Sequence, residues 1–383
     1  MLEHWGVPYM AISIDKDDKG LSEFMKLGKR TVPQVVVNGK NYGTFEDLTK
    51  LALTDFLEAD AAPKTDMMTP STSYKPFIYP WAVELTKNHE QAHWIEDEID
   101  LSDDVSDWKS GRVTEAEKKF ILNILRLFTQ SDVAVGQNYY DFFIPKFRNN
   151  EVRNMLGSFA SREGVHQRAY ALLNDTLGLP ESEFNAFSEY TEMSDKIDFM
   201  TDNDNSSHRN LGLALAKSVF SEGVSLFASF VMLLNFQRHG KMKGMSKVVE
   251  WSIRDETMHV DGMTQLFKQF CTEHPKVITD EFKKSIYSMS RRVVHLEDKF
   301  VELAYGASES IEDLSRTDVS LYVRHVTDRR LLQLGLKPNF DVKDNPLDWL
   351  DWVLNAPDHT NFFENRVTEY EVGGLKGNWN DAY

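Results

Sequence analysis

Residues 156–170 read LGSFASREGVHQRAY, and residues 254–259 read RDETMH. Each stretch holds a Glu-x-x-His pair, Glu163 with His166 and Glu256 with His259. Residues three apart on an α-helix share a face, so each pair can turn two ligands toward one point. Leu156, Phe159 and Ala160 lie behind Glu163 at helical offsets, and Val249, Ile253, Val260 and Met263 flank the second pair. Both faces therefore look into a core, where an uncompensated carboxylate is too costly to keep ionised. Either arginines such as Arg162, Arg168 or Arg254 neutralise these acids, or metal ions do. Two pairs of equal spacing favour ions. A third pair, Glu90 with His93, sits among Lys87, Asn88 and Gln91 and reads as a solvated helix face.

The same test finds two further acids. Asp132 continues the apolar face of Ile121, Leu125 and Phe128, and Glu222 is the one acid in an otherwise apolar stretch, Leu211 to Phe236. Two Glu-x-x-His pairs with one carboxylate from each of two other helices form the ligand pattern of dimetal carboxylate bundles. Four carboxylates balance two divalent ions, and the oxygen-rich donor set suits iron or manganese better than structural zinc. Tyr170 follows His166 by one helical turn. On an apolar helix such a residue is ordinarily core; beside an oxygen-activating site it becomes a one-electron donor. Leu226 and Phe230 are placed to keep its surroundings dry.

Outward from these motifs the chain is helical. Apolar periodicity predicts helices near 80–93, 115–143, 150–177, 208–238, 243–273, 278–307 and 315–334, which together make an all-α bundle. Residues 1–58 differ, with strand-like YMAISID and QVVVNGK around a helical LSEFMKL and before a closing helix at FEDLTKLAL. Residues 59–75 are rich in Ala, Pro, Ser and Thr and read as a linker. The helical domain then spans 76–362. Residues 363–383 carry three glycines and mixed charge without an apolar stripe, the pattern of a flexible tail.

Composition closes off several classes. A net charge of −17 argues against a nucleic-acid partner. The single cysteine, Cys271, excludes a disulfide framework and fits a reducing, cytoplasmic setting. The run from Leu211 to Phe236 is long enough to span a bilayer, but Lys217, Glu222 and its serines make it a buried core helix, so no membrane is expected. Neither a Walker A loop nor a dinucleotide-binding glycine fingerprint occurs.

On the strings SDVAVGQ, REGVHQRAY, FSEGVSLFASF and RDETMH, residues 76–383 resemble the small subunit of class I ribonucleotide reductase. The resemblance implies a ferritin-like bundle whose metal ligands are Asp132, Glu163, His166, Glu222, Glu256 and His259. It implies two iron ions, with manganese as the alternative, and a radical on Tyr170. Trp94 then falls on the electron-relay tryptophan, Asp255 on the acid between it and His166, and Tyr370 on the tail tyrosine. These would pass the radical to a separate large subunit, bound through the C-terminal tail, which reduces the nucleotide. A homodimer is also implied. Ser252 departs from the family, which usually has an aliphatic residue there, and would admit water near the radical.

The first 58 residues resemble the C-terminal two-thirds of a glutaredoxin through Thr31-Val32-Pro33 and the Asn38-Gly39 turn. The redox cysteines of that family are missing, so this small partial thioredoxin-like α/β segment has no thiol with which to exchange disulfides. Three other readings of the whole chain stay open on sequence: a ferritin-like iron store, a dimetal hydroxylase or desaturase, and an inactive scaffold whose buried acids are ion-paired.

Overall fold

A computed structural model describes residues 18–26, 34–37, 40–44 and 66–350. The chain divides into two units, residues 1–66 and 67–383. Within the first, helix α1 (Asp18–Lys26) precedes strands β1 (Val35–Val37) and β2 (Lys40–Gly43), paired antiparallel with Val37 opposite Lys40. The predicted strand at YMAISID, the Thr-Val-Pro motif, the Asn38-Gly39 turn and the closing helix lie outside the described residues.

The second unit is a helical bundle of α2 (Pro80–Gln91), α3 (Ser102–Ser110), α4 (Glu115–Gln137), α5 (Asn150–Leu177), α6 (Thr191–Thr201), α7 (His208–Phe220), α8 (Leu226–Arg238), α9 (Lys243–Glu273), α10 (Asp280–Tyr305) and α11 (Arg316–Gln333). A two-stranded ribbon, β3 (Ser310–Ile311) with β4 (Leu314–Ser315), precedes the last helix. Local chemistry sets the ends. Thr114 and Glu117 form a capping box at the start of α4. Asn149 caps α5 by accepting from the amides of Glu151 and Val152, and Gly178 ends that helix at φ 76°.

Two helices escaped the sequence pattern, α3 and α6. The buried positions of α3 are Asp104 and Asp107, so apolar periodicity does not mark it, while α6 is only 11 residues long and its buried face of Met193, Phe199 and Met200 is interrupted by Lys196. Asp104 is buried for a reason: it accepts from the amides of Gly244 and Met245, each at 2.8 Å, and so caps α9 from a distant part of the chain. Met67, in the stretch read as linker, is fully buried and its amide donates to Glu273 at 3.1 Å.

Two π-helical turns interrupt the long helices. One, Asn138–Phe143, follows α4, and the other, Ser221–Ser225, joins α7 to α8. The run His208–Arg238 is long and apolar enough to cross a membrane, and its most apolar window is wholly buried within the bundle. It is the central core helix, and the π turn at its middle carries Glu222.

Candidate metal centre

The structure gathers the six acids and imidazoles at the bundle centre. α4 supplies Asp132, α5 supplies Glu163 and His166, the π turn supplies Glu222, and α9 supplies Glu256 and His259. None is more than 2% exposed. They fall into two ligand groups that share Glu163: one with Asp132 and His166, the other with Glu222, Glu256 and His259. Within each group the candidate ligand atoms lie within 4.8 Å of one another. His259 Nδ1 is 3.1 Å from Glu163, 3.3 Å from Glu256 and 3.4 Å from Glu222. His166 Nδ1 is 3.4 Å from Glu163 and 3.3 Å from Glu256.

These atoms are close without being well bonded to one another. Asp132 Oδ2, both oxygens of Glu163, both of Glu256 and His259 Nδ1 are buried with no hydrogen-bond partner of acceptable geometry. Buried polar atoms are almost always paired, and here they converge on common points instead. That is the arrangement a pair of divalent ions would satisfy, and hard carboxylate donors with two imidazoles fit iron or manganese. The three arginines that offered an ion-paired alternative are engaged elsewhere. Arg162 and Arg254 donate to Asp255, and Arg168 to Glu96.

Without ions, the cluster must hold protons. Burial drives Asp132 well above the usual carboxylate range, His166 opposing and Glu163 and Glu256 reinforcing. Burial also opposes a charged His259, but Glu256, Glu163 and Glu222 outweigh it and raise the imidazole well above its ordinary value. His166 is raised by Asp255, Glu163 and Glu256 against the same penalty. Ion binding would therefore expel protons from this site.

Beyond His166 a hydrogen-bonded line continues outward. Its Nε2 is 3.3 Å from Asp255 Oδ2, which accepts from the Trp94 indole N–H at 2.7 Å. The Trp94 ring also stacks on His166, centroids 5.9 Å apart. Despite burial, His166 and the guanidinium groups of Arg162 and Arg254 hold Asp255 far below the usual carboxylate range.

Tyr170 is 1% exposed and lies flat against Phe128, with centroids 4.8 Å apart and an interplanar angle of 4°. Phe230 stacks on the other side of that sandwich, 5.1 Å from Phe128, and Leu226 is buried nearby in sequence on α8. The Tyr170 hydroxyl donates to Ser252 Oγ at 3.4 Å. Burial, followed by the charge of Asp132, raises the phenol well above its ordinary value. Glu90 and His93 are both exposed, and Tyr370 lies outside the described residues.

The sequence reading passed over three contributors. Tyr139, in the first π turn, donates to Glu222 Oε2 at 2.6 Å, and Ser218 donates to Glu222 Oε1. His89 is buried with its Nε2 3.1 Å from His259 Nε2 and its Nδ1 2.8 Å from Ser158 Oγ. A ligating histidine is oriented by whatever its second nitrogen bonds. The signal for His89 was its place seven residues after Ala82, the other buried position of α2. His89→Ala is expected to weaken ion binding by about 10–100-fold, read by competition with a chelator. His89→Gln, which keeps an acceptor, should retain most of the affinity.

A family model described as ribonucleotide reductase, small chain, matches residues 71–346, and one described as glutaredoxin matches residues 1–41. The chain is 40% identical over 336 residues to a probable ribonucleoside-diphosphate reductase small subunit of Invertebrate iridescent virus 3, covering 83% of this chain and 89% of that relative. It is 31% identical over 313 residues to the ribonucleoside-diphosphate reductase subunit beta of Chlamydia pneumoniae, covering 78% and 90%. The fold is similar to that of the ribonucleotide reductase R2 subunit from Clostridium botulinum, with a TM-score of 0.69 at 20% identity over 75% of this chain and 93% of that one. The first family model spans most of the chain, and the iridescent-virus relative is matched over nearly its whole length. The chain belongs to the ribonucleotide reductase small-chain family, whose work is the oxidoreductase chemistry of deoxyribonucleotide synthesis.

Proposed function

We propose that Asp132, Glu163, His166, Glu222, Glu256 and His259 hold two iron ions, or two manganese ions, and that Tyr170 carries the radical this subunit delivers. When bound, such a pair supplies one-electron oxidising power drawn from an oxygen-derived oxidant. Tyr170 gives up one electron. Its raised pKa means the phenol is neutral beforehand, so a proton must leave with that electron. The Ser252 hydroxyl is the polar group positioned to accept or relay it. Phe128 keeps water from one ring face, and Phe230 backs Phe128.

One observation carries this reading over an iron store: the continuous line Trp94–Asp255–His166. A store has no need of an indole hydrogen-bonded to a carboxylate behind a ligand. For a radical route it is useful, because the Asp255 carboxylate, held ionised, accepts the indole N–H and stabilises the positive charge left on Trp94 as it loses an electron. Trp94 and Tyr370 would pass the hole to the large subunit of the reductase, where the 2′-hydroxyl of the nucleotide is removed. We place the docking contact in the C-terminal tail, where Trp379 and Tyr383 are aromatic anchors. A homodimer acting in the cytoplasm completes the proposal.

The test is to load the protein with iron(II) or manganese(II), supply the oxidant, and record the electron paramagnetic resonance spectrum. A tyrosyl signal together with ribonucleoside-diphosphate turnover on adding the large subunit is expected. Ion uptake with neither would leave an iron store. The tail adds a separate expectation. A synthetic peptide of about the last fifteen residues should compete with the protein for the large subunit, as short docking segments do. Undiminished turnover at saturating peptide would place the contact elsewhere.

A further inference from the structure

The π turn Ser221–Ser225 puts Glu222 in the centre, and a π turn has a structural cost. Its wider hydrogen-bonding step leaves backbone carbonyls without the partners an α-helix would give them. Two carbonyls of the turn are met by buried cations from other helices. Arg330 on α11 donates from Nε to Gly223 O at 3.0 Å. Lys196 on α6 reaches Ser225 O at 3.4 Å.

Each cation is fixed by further partners; Lys196 also lies over the Phe300 ring at 4.2 Å. Lys196 is almost wholly buried, 2.8 Å from the equally buried carboxylate of Glu297 on α10, and the Ser225 hydroxyl bonds the same carboxylate. A buried ion pair is a weak source of stability, because desolvation offsets most of the attraction; its better-attested use is to fix register. Arg330 is similarly buried, over the Phe227 ring at 5.0 Å, with NH1 held by Gln333 at 2.9 Å. Glycine at 223 is what admits it, since a Cβ there would collide with Arg330 Nε and sit 3.0 Å from its Cδ.

We propose that Lys196 and Arg330 are positioning residues: they hold the carbonyls of Ser225 and Gly223 and so keep the π turn that aims Glu222 at the metal centre. The proposal rests on the dimetal reading for its purpose, but the clamp itself is testable in metal-free protein. Three variants serve. Arg330→Met removes one donor. Gly223→Ala keeps the arginine and bars its approach. The double variant Lys196→Met with Glu297→Met replaces the ion pair by apolar side chains of similar size, so that folding survives.

Hydrogen exchange on metal-free protein should be at least about tenfold faster at residues 223–227 in each variant, with α4, α5 and α9 and the unfolding midpoint little changed. In titrations with manganese(II), affinity for the ion held by Glu222, Glu256 and His259 should fall by about 10–100-fold, the range for groups that orient ligands. The ion held by Asp132 and His166 should be nearly unaffected. Combining Gly223→Ala with Arg330→Met should be no worse than either alone, since both break one contact. Unchanged exchange at the π turn would overturn the proposal. So would faster exchange throughout the bundle with a lowered midpoint, which would make the cations ordinary core contacts. If the unaltered protein takes up no manganese, the dimetal reading fails, while the exchange result still decides the clamp.

Discussion

Tyr170→Phe is expected to take radical formation and nucleotide reduction to background while leaving the fold and both ions in place. The substitution removes one hydroxyl. That hydroxyl makes a single long contact, 3.4 Å to Ser252, so its loss should change stability by about 1 kcal/mol or less. The stack of Tyr170 on Phe128 survives, because phenylalanine presents the same ring. What is lost is the phenolic O–H, without which the ring has no accessible one-electron oxidation. The measurements are the resonance spectrum after oxidant and the turnover rate with the large subunit, with ion content as control. A persistent signal with full activity would move the radical to another side chain.

His259→Ala is the second large effect. Its Nδ1 alone faces three carboxylates, Glu163, Glu222 and Glu256, at 3.1–3.4 Å, where His166 Nδ1 faces two. Removing it takes a donor from one ligand group and leaves those acids less balanced, so ion content should fall from about two per chain to about one or fewer. In metal-free protein the charged imidazole is the partner that tolerates these buried acids. Deleting one partner of a buried pair costs about 3–5 kcal/mol. The pH dependence has a definite sign. The folded-state value lies well above the ordinary imidazole value of about 6.5, so the contribution is fully present below about pH 6.5 and is lost as pH rises through the raised value. The stability gap between the unaltered and variant metal-free proteins should therefore be widest in mild acid and narrow in alkali. Denaturant unfolding across that range measures it, and a gap that widened with pH would contradict the assignment of charge.

How much of this could be read from the chain depends on the kind of signal each residue leaves. Glu163 with His166 and Glu256 with His259 announce themselves by spacing, and Asp132 and Glu222 by being acids on apolar faces. The structure brings all six together. His89 left a fainter trace, because the helix that carries it is polar and its neighbours Glu90 and His93 are exposed. The π turns were invisible, since one extra residue in a helical step changes neither composition nor apolar content. Yet the turn at Ser221–Ser225 places Glu222 in the centre. Helix α3 was missed because what it buries is charged, and α6 because its short face of Met193, Phe199 and Met200 is interrupted by the buried Lys196. Asp104 serves amides 140 and 141 residues away, and Lys196 an acid 101 residues away. Such pairings are decided by tertiary packing, which local periodicity does not record.

Six buried side chains would form one site for two ions beside Tyr170. That site is tested most directly by anomalous diffraction from crystals loaded with iron(II) or manganese(II), recorded at the absorption edge of the metal. The account predicts two peaks per chain, one among Asp132, Glu163 and His166 and the other among Glu163, Glu222, Glu256 and His259. A single peak, or none at these residues at saturating metal, would contradict it.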